Sequence, residues 1–198
     1  MNLRVSIAAI AAIAATAAAL LFSGIAISAD PANNAVVTSI KGDTIELGVP
    51  ASALSLTFPK GGLAEINPTG NQSNPRYFNF ADLGRGWVIS GWIEPASSFQ
   101  GTEKFWVSEF TAMKNSGLMP KEPPVPVDAG DWMALAYELS LPENAGKVVN
   151  SHIRAELVEH GTWVDLHISV TGDMPLAQAR SEALALLKGI VVTKKKGS

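Results

Sequence analysis

Residues 148–171 constrain the fold more than any other stretch of this chain. Apolar and polar side chains alternate along 148–159 and again along 162–171, with His160-Gly161 between them. Period-two alternation marks a strand. A two-residue loop of this kind belongs to tight hairpins whose central residues take positive φ. Such a loop also fixes the register. Glu159 then pairs with Thr162, Val158 with Trp163, Glu156 with Asp165, Arg154 with His167 and His152 with Ser169, all on one face. Leu157 with Val164, Ala155 with Leu166 and Ile153 with Ile168 make the other face. That second face is wholly apolar and must be core.

The first face gathers two imidazoles, a guanidinium and two carboxylates: His152, Arg154, Glu156, Asp165 and His167. Three arrangements fit it. The simplest is a solvent-facing ladder, in which Arg154 screens the repulsion between Glu156 and Asp165. The second is a buried network under a helix or loop, which would lock the hairpin and require every member to be paired. The third is a functional site. It would be a metal held by His152, His167, Asp165 and Glu156, or two carboxylates acting as acid and base. Arg154 weighs against the metal, because a fixed positive charge repels a cation. Ser169, His167 and Asp165 form a hydrolase triad only on paper, since they would spread along one strand with no nucleophile elbow. No P-loop, GxGxxG or HExxH is present, and no cofactor is implied.

The rest of the chain reads as further strands and two helices. Residues 43–49, 54–58, 76–82, 87–94 and 132–140 alternate, and Pro50, Pro59 and Pro95 close three of these runs. Residues 60–75, rich in Gly, Pro, Asn and Ser, read as a long loop. Residues 102–116 read as a helix with Phe105, Trp106, Phe110 and Met113 along one core-facing stripe and Gly117 as its stop. Pro120, Pro123, Pro124 and Pro126 exclude regular helix or central strand over 119–127. Residues 175–188 read as the last helix, with Asp173 placed to cap it and Leu176, Ala179, Ala183, Leu184 and Leu187 as its apolar face. Ile190-Val191-Val192 offers a short final strand. Hairpins without βαβ crossovers imply an α+β fold: a mainly antiparallel β-sheet with two principal helices packed on it.

An apolar leader precedes this domain. Residues 5–29 carry no charge, follow Arg4, and end in Ala26-Ile27-Ser28-Ala29 before Asp30. Basic start, apolar middle and small-residue exit make an export signal. The stretch is also long enough to cross a bilayer, so a retained anchor is the competing reading. The expected organisation is a signal peptide or anchor at 1–29, a flexible lead-in at 30–42, one domain at 43–193 and a basic tail at 194–198. Either reading of the leader puts the domain in the periplasm or outside the cell, free or tethered to the inner membrane. The chain has 198 residues and no Cys. It therefore has neither disulfides nor thiolate metal sites, and a Cys-free exported domain suits a bacterial envelope. A net charge of −3 gives no footprint for nucleic acid.

The segment Trp163-Val164-Asp165-Leu166-His167-Ile168-Ser169, followed by an amphipathic helix and a short apolar end, resembles the closing part of small exported bacterial proteins. Over residues 46–192 the order of elements is similar to the PsbP/Mog1/DcrB-like group. No catalytic motif defines that group, so the resemblance assigns no site residues. It implies an accessory or binding role with a protein or small-molecule partner in the envelope, rather than an enzyme. Membrane contact enters only if the leader is retained. Exposed aromatics such as Trp87 and Trp92 offer a further possibility, a protein-interaction surface. N-terminal sequencing of the exported protein separates the two leader readings: cleavage gives a chain beginning at Ala29 or Asp30, retention one beginning at the initiator end.

Overall fold

The computed structural model describes residues 34–66, 74–115, 117, 120–139 and 149–195. The leader at 1–29 and the turn expected at 142–147 lie outside them. The described chain runs β1 (Val37–Lys41), β2 (Thr44–Gly48), β3 (Leu54–Pro59), β4 (Ala64–Glu65), β5 (Tyr77–Asp82), β6 (Trp87–Pro95), α1 (Thr102–Asn115), β7 (Val125–Pro126), β8 (Met133–Glu138), β9 (Val149–Glu159), β10 (Thr162–Gly172), α2 (Leu176–Lys188) and β11 (Val191–Lys194). The strands form two antiparallel sheets. One has four strands, ordered β1-β2-β3-β11, and the other has seven, ordered β4-β5-β6-β10-β9-β8-β7. The α+β class is as expected. Among the described residues no helix is long and apolar enough to cross a membrane.

The β9–β10 hairpin has the register that its loop dictates. Thr162 pairs with Glu159 and the ladder continues without a slip to Gly172 opposite Val149. His160 and Gly161 both take positive φ, 46° and 73°. β10 is the centre of the large sheet, with β9 on one side and β6 on the other. The face carrying Ile153, Ala155, Leu157, Val164, Leu166 and Ile168 joins Ile89 and Ile93 of β6 and Phe78 and Phe80 of β5 in one buried cluster. The small sheet adds Ile45, Leu47, Leu56 and Phe58, and α2 adds Ala179, Ala183 and Leu187. Phe58 meets Phe80 edge to face at 5.7 Å. Each fully buried Leu, Ile or Phe here contributes on the order of 1.5–3 kcal/mol. A Cys-free domain of this size therefore holds together through this layer.

Several local expectations need correction. The lead-in at 30–42 is not loose throughout: residues 37–41 pair with β2 across a turn in which Gly42 has φ 59°. The basic tail is not wholly solvated. Lys194 closes β11 against Leu54, and Lys195 donates to the Val49 carbonyl at 2.6 Å. The loop at 60–75 contains a two-residue strand, β4, on the edge of β5. Asp173 does not cap α2; Pro175 occupies the N-cap position and no side chain bonds there. Proline's fixed φ suits a helix start without any cap hydrogen bond. The proline-rich connector contributes β7, an edge pairing through Val125 and Pro126, and an isolated bridge from Pro120 to Leu139.

Gly91 is required where β6 crosses β10. A Cβ there would stand 2.1 Å from the Asp165 carbonyl oxygen and 3.0 Å from Phe78 Cζ. Backbone cannot yield as a side-chain tip can. Gly91→Ala is expected to lower unfolding stability by about 3 kcal/mol, the upper end of overpacking costs. Gly84→Ala, whose Cβ meets Asp82 Oδ1 at an ordinary 3.4 Å, should stay within about 0.5 kcal/mol. Urea titration of both variants checks the contrast.

Candidate functional site

Strand register builds the site in transverse rows on the face opposite the main core. The row through Asp165 runs Tyr77, Trp92, Asp165, Glu156, Met133 across β5, β6, β10, β9 and β8. The next row runs Asn79, Ser90, His167, Arg154, Leu135, and the one after it Ala81, Val88, Ser169, His152, Tyr137. All five residues picked out in the sequence stand together here.

The solvent-facing ladder is not what forms. His152 and Glu156 are 0% exposed, Asp165 1%, Arg154 3% and His167 5%. The helix α1 lies over this face. Phe105 packs edge to face on Trp163 at 5.8 Å, Phe110 on Tyr137 at 6.4 Å, and Glu109 reaches Arg154. The aromatic stripe of α1 thus covers the polar face of the sheet, not the main apolar core. Met113 joins Tyr137 and Leu139 in a small cluster of its own. Trp92 is likewise buried, tilted against Tyr77 at 4.8 Å, and Trp87 is half-buried with its indole donating to Glu182 at 3.1 Å. Neither is an exposed aromatic for partner capture.

Arg154 is the hub. Its Nη2 donates to Asp165 Oδ2 at 2.7 Å and lies 3.3 Å from Glu109 Oε2. Its guanidinium sits 5.5 Å from the Phe105 ring and 5.7 Å from that of Trp92. Burial works against its charge, but Asp165 and Glu109 outweigh it and hold the guanidinium firmly protonated. The imidazoles bond to each other: His152 Nδ1 and His167 Nε2 are 2.8 Å apart, one donating and one accepting. Tyr137 lies parallel to His152 at 5.1 Å. Burial lowers His152 to about 3. Burial, His152 and Arg154 lower His167 well below its ordinary value. Both rings are neutral at pH 7. His167 bonds neither Ser169 nor Asp165, so the paper triad does not assemble.

The carboxylates behave in the opposite sense. Burial raises Glu156 to about 7, against the pull of the Thr102 hydroxyl and Arg154. The Thr102 hydroxyl makes its hydrogen bond to Met133 Sδ at 3.3 Å, and neither Glu156 oxygen has a partner of hydrogen-bonding geometry. Burial also raises Asp165 to about 7. Arg154 draws it down, while Glu109 and Glu156 push it up. The network is therefore incomplete. Glu156 Oε1 and Oε2, Asp165 Oδ1, His152 Nε2, Arg154 Nε and Asn79 Oδ1 are all buried without a hydrogen-bond partner, and Ser90 Oγ, although it draws the Tyr77 phenol down, has none of hydrogen-bonding geometry. An unsatisfied buried polar group costs about 1–3 kcal/mol. Among the described residues no group of three or more His, Asp or Glu side chains is arranged to hold a metal. The arrangement can accept hydrogen bonds and exchange protons near neutrality.

Sequence reasoning did not pick out Asn79, Ser90, Glu109 or Tyr137. Asn79 and Ser90 carried a usable signal, each a small polar residue inside a strand otherwise built of aromatic and aliphatic side chains. Glu109 carried one too, placed between Phe105 and Phe110 on the stripe of α1. No protein-family model and no curated protein matches this chain.

The opposed shifts cancel in stability. Glu156 and Asp165 are raised from 4.5 and 3.8, so what they contribute is full below those values and is lost as pH rises through about 7. The histidines are lowered from 6.5, so their contribution is full above that value and is lost as pH falls. Between about pH 5 and 6 the two effects nearly balance. Glu156→Gln removes one of the opposing carboxyls. Relative to the parent chain its stability should rise with pH by about 1 kcal/mol per pH unit in that window, measured by urea unfolding. A slope unchanged by the substitution would contradict the burial argument.

Proposed function

We propose that the chain is a non-catalytic binding or accessory module of the bacterial envelope, working in the periplasm either free or tethered by its leader, and that its ligand meets the polar face beneath α1. One observation carries this reading: buried polar atoms from four adjacent strands, β5, β6, β10 and β9, lack partners on one face. A fold that needed this face only for rigidity would be better served by apolar residues of the same volume. A polar face left incomplete, under a single covering helix, suits a molecule that completes it. The leader at 5–29 supports the location, and the likeness to the PsbP/Mog1/DcrB-like group supports a binding role.

A second reading has its own observation. Two carboxyls, Glu156 and Asp165, titrating near 7 side by side are suited to acid–base work. In an envelope enzyme of this kind they would handle the proton, with His152 and His167 as neutral positioning groups.

Two measurements discriminate. Native mass spectrometry of the full chain recovered from its envelope should show a small-molecule adduct that is lost in Glu156→Gln. Turnover on a panel of ester, amide, glycoside and phosphoester substrates, abolished in Asp165→Ala or His167→Ala, would instead establish the enzyme.

A further inference from the structure

Once the carboxyls beside Arg154 ionise, the charges around it do not balance. Arg154 faces Asp165 on β10, Glu156 beside it on β9, and Glu109 from α1. The other titratable groups nearby add no positive charge. His152 and His167 are held neutral, and burial raises the phenols of Tyr77 on β5 and Tyr137 on β8. Glu94, on the same face of β6, is engaged with Arg76 at 3.7 Å. One guanidinium thus confronts three carboxyls, two of them closed to water and Glu109 at the margin.

The unpartnered atoms point the same way. Once ionised, Glu156 and Asp165 offer Oε1, Oε2 and Oδ1 as acceptors, and Asn79 Oδ1 is another; Ser90 Oγ and His152 Nε2 can serve either role; Arg154 Nε is the one obligate donor among them. A complement to this set must donate more than it accepts and carry positive charge. An anion would add to the excess of negative charge. A neutral polyol would donate and accept equally and leave the charge unmet. A bare divalent ion would need a shell of ligands, and Asp165 Oδ2 already belongs to Arg154. The walls also favour a cation, since Tyr77 and Trp92 continue the Asp165 row and Phe105 comes down from α1.

We propose that this face binds a small organic cation, a primary amine whose ammonium head lies between Glu156 and Asp165 and donates to their free oxygens. The proposal rests on the binding reading above and names its ligand class. Before the amine binds, the two carboxyls hold protons up to about neutral pH. The ammonium takes the place of a proton, so binding releases protons, and affinity rises about tenfold per pH unit for each proton released, levelling off above about pH 7.

Calorimetry on the purified full chain tests this with ethanolamine hydrochloride, glycerol and sodium acetate as probes, at constant ionic strength set with sodium chloride. Ethanolamine is expected to bind saturably below pH 7. Its apparent enthalpy should change with the ionisation heat of the buffer by the equivalent of about one proton, and binding should be lost in Glu156→Gln. If that variant fails to fold, proton release and the pH slope of the parent chain decide alone. Binding of glycerol or acetate in place of ethanolamine would overturn the cation while leaving a binding module. Ethanolamine binding with no proton release would overturn the placement between Glu156 and Asp165. No saturable binding of ethanolamine overturns the proposal, and the native adduct measurement then decides separately whether the face binds anything.

Discussion

The pairing of β9 with β10 is the constraint on which the remaining structure depends. Both strands have eleven residues and stay in register from the His160-Gly161 turn to Val149 and Gly172. Because side chains alternate strictly, this one register sends Ile153, Ala155, Leu157, Val164, Leu166 and Ile168 to one side and His152, Arg154, Glu156, Asp165 and His167 to the other. A slip by one residue would exchange the two sets, placing charges against α2 and the small sheet. The apolar layer and the polar layer are two outcomes of a single geometric fact. Neither can be altered without the other.

The polar layer pairs opposites by position. Arg154 ties sheet to helix through Asp165 and Glu109, while the imidazoles share one hydrogen bond between their rows. Such a buried network seldom stabilises a fold relative to an apolar core. The carboxyls are raised and the imidazoles lowered by the same cause, removal from water. Below neutral pH the face therefore holds few charges although five ionisable side chains of the hairpin line it.

The hairpin and its register were legible in the sequence because a two-residue loop leaves no freedom, and the helices because their apolar spacing is regular. Whether water or protein covers the polar face was not legible: His152, Arg154, Glu156, Asp165 and His167 alternate in the same way under a helix as under solvent. The informative residues lay elsewhere, in Phe105 and Phe110, whose stripe had to pack on something. β1 and Lys194 were missed for a different reason. Lys41 and Lys194 have little strand character of their own and are strands because β2 and β3 offer them an edge.

The position of β10 also bears on how the chain comes together in time. Its neighbour β6 ends at residue 95, whereas β10 begins at 162, with α1, β7, β8 and β9 between. The central pairing of the large sheet is thus its most distant in sequence and becomes possible only when β10, that sheet's last strand in chain order, has emerged. Until then β6, with Val88, Ile89, Trp92 and Ile93, presents a bare edge open to any passing strand. A chain that is moved across a membrane before it folds would have that edge exposed on the far side, so its vulnerable interval would fall in the envelope and depend on the holding factors there.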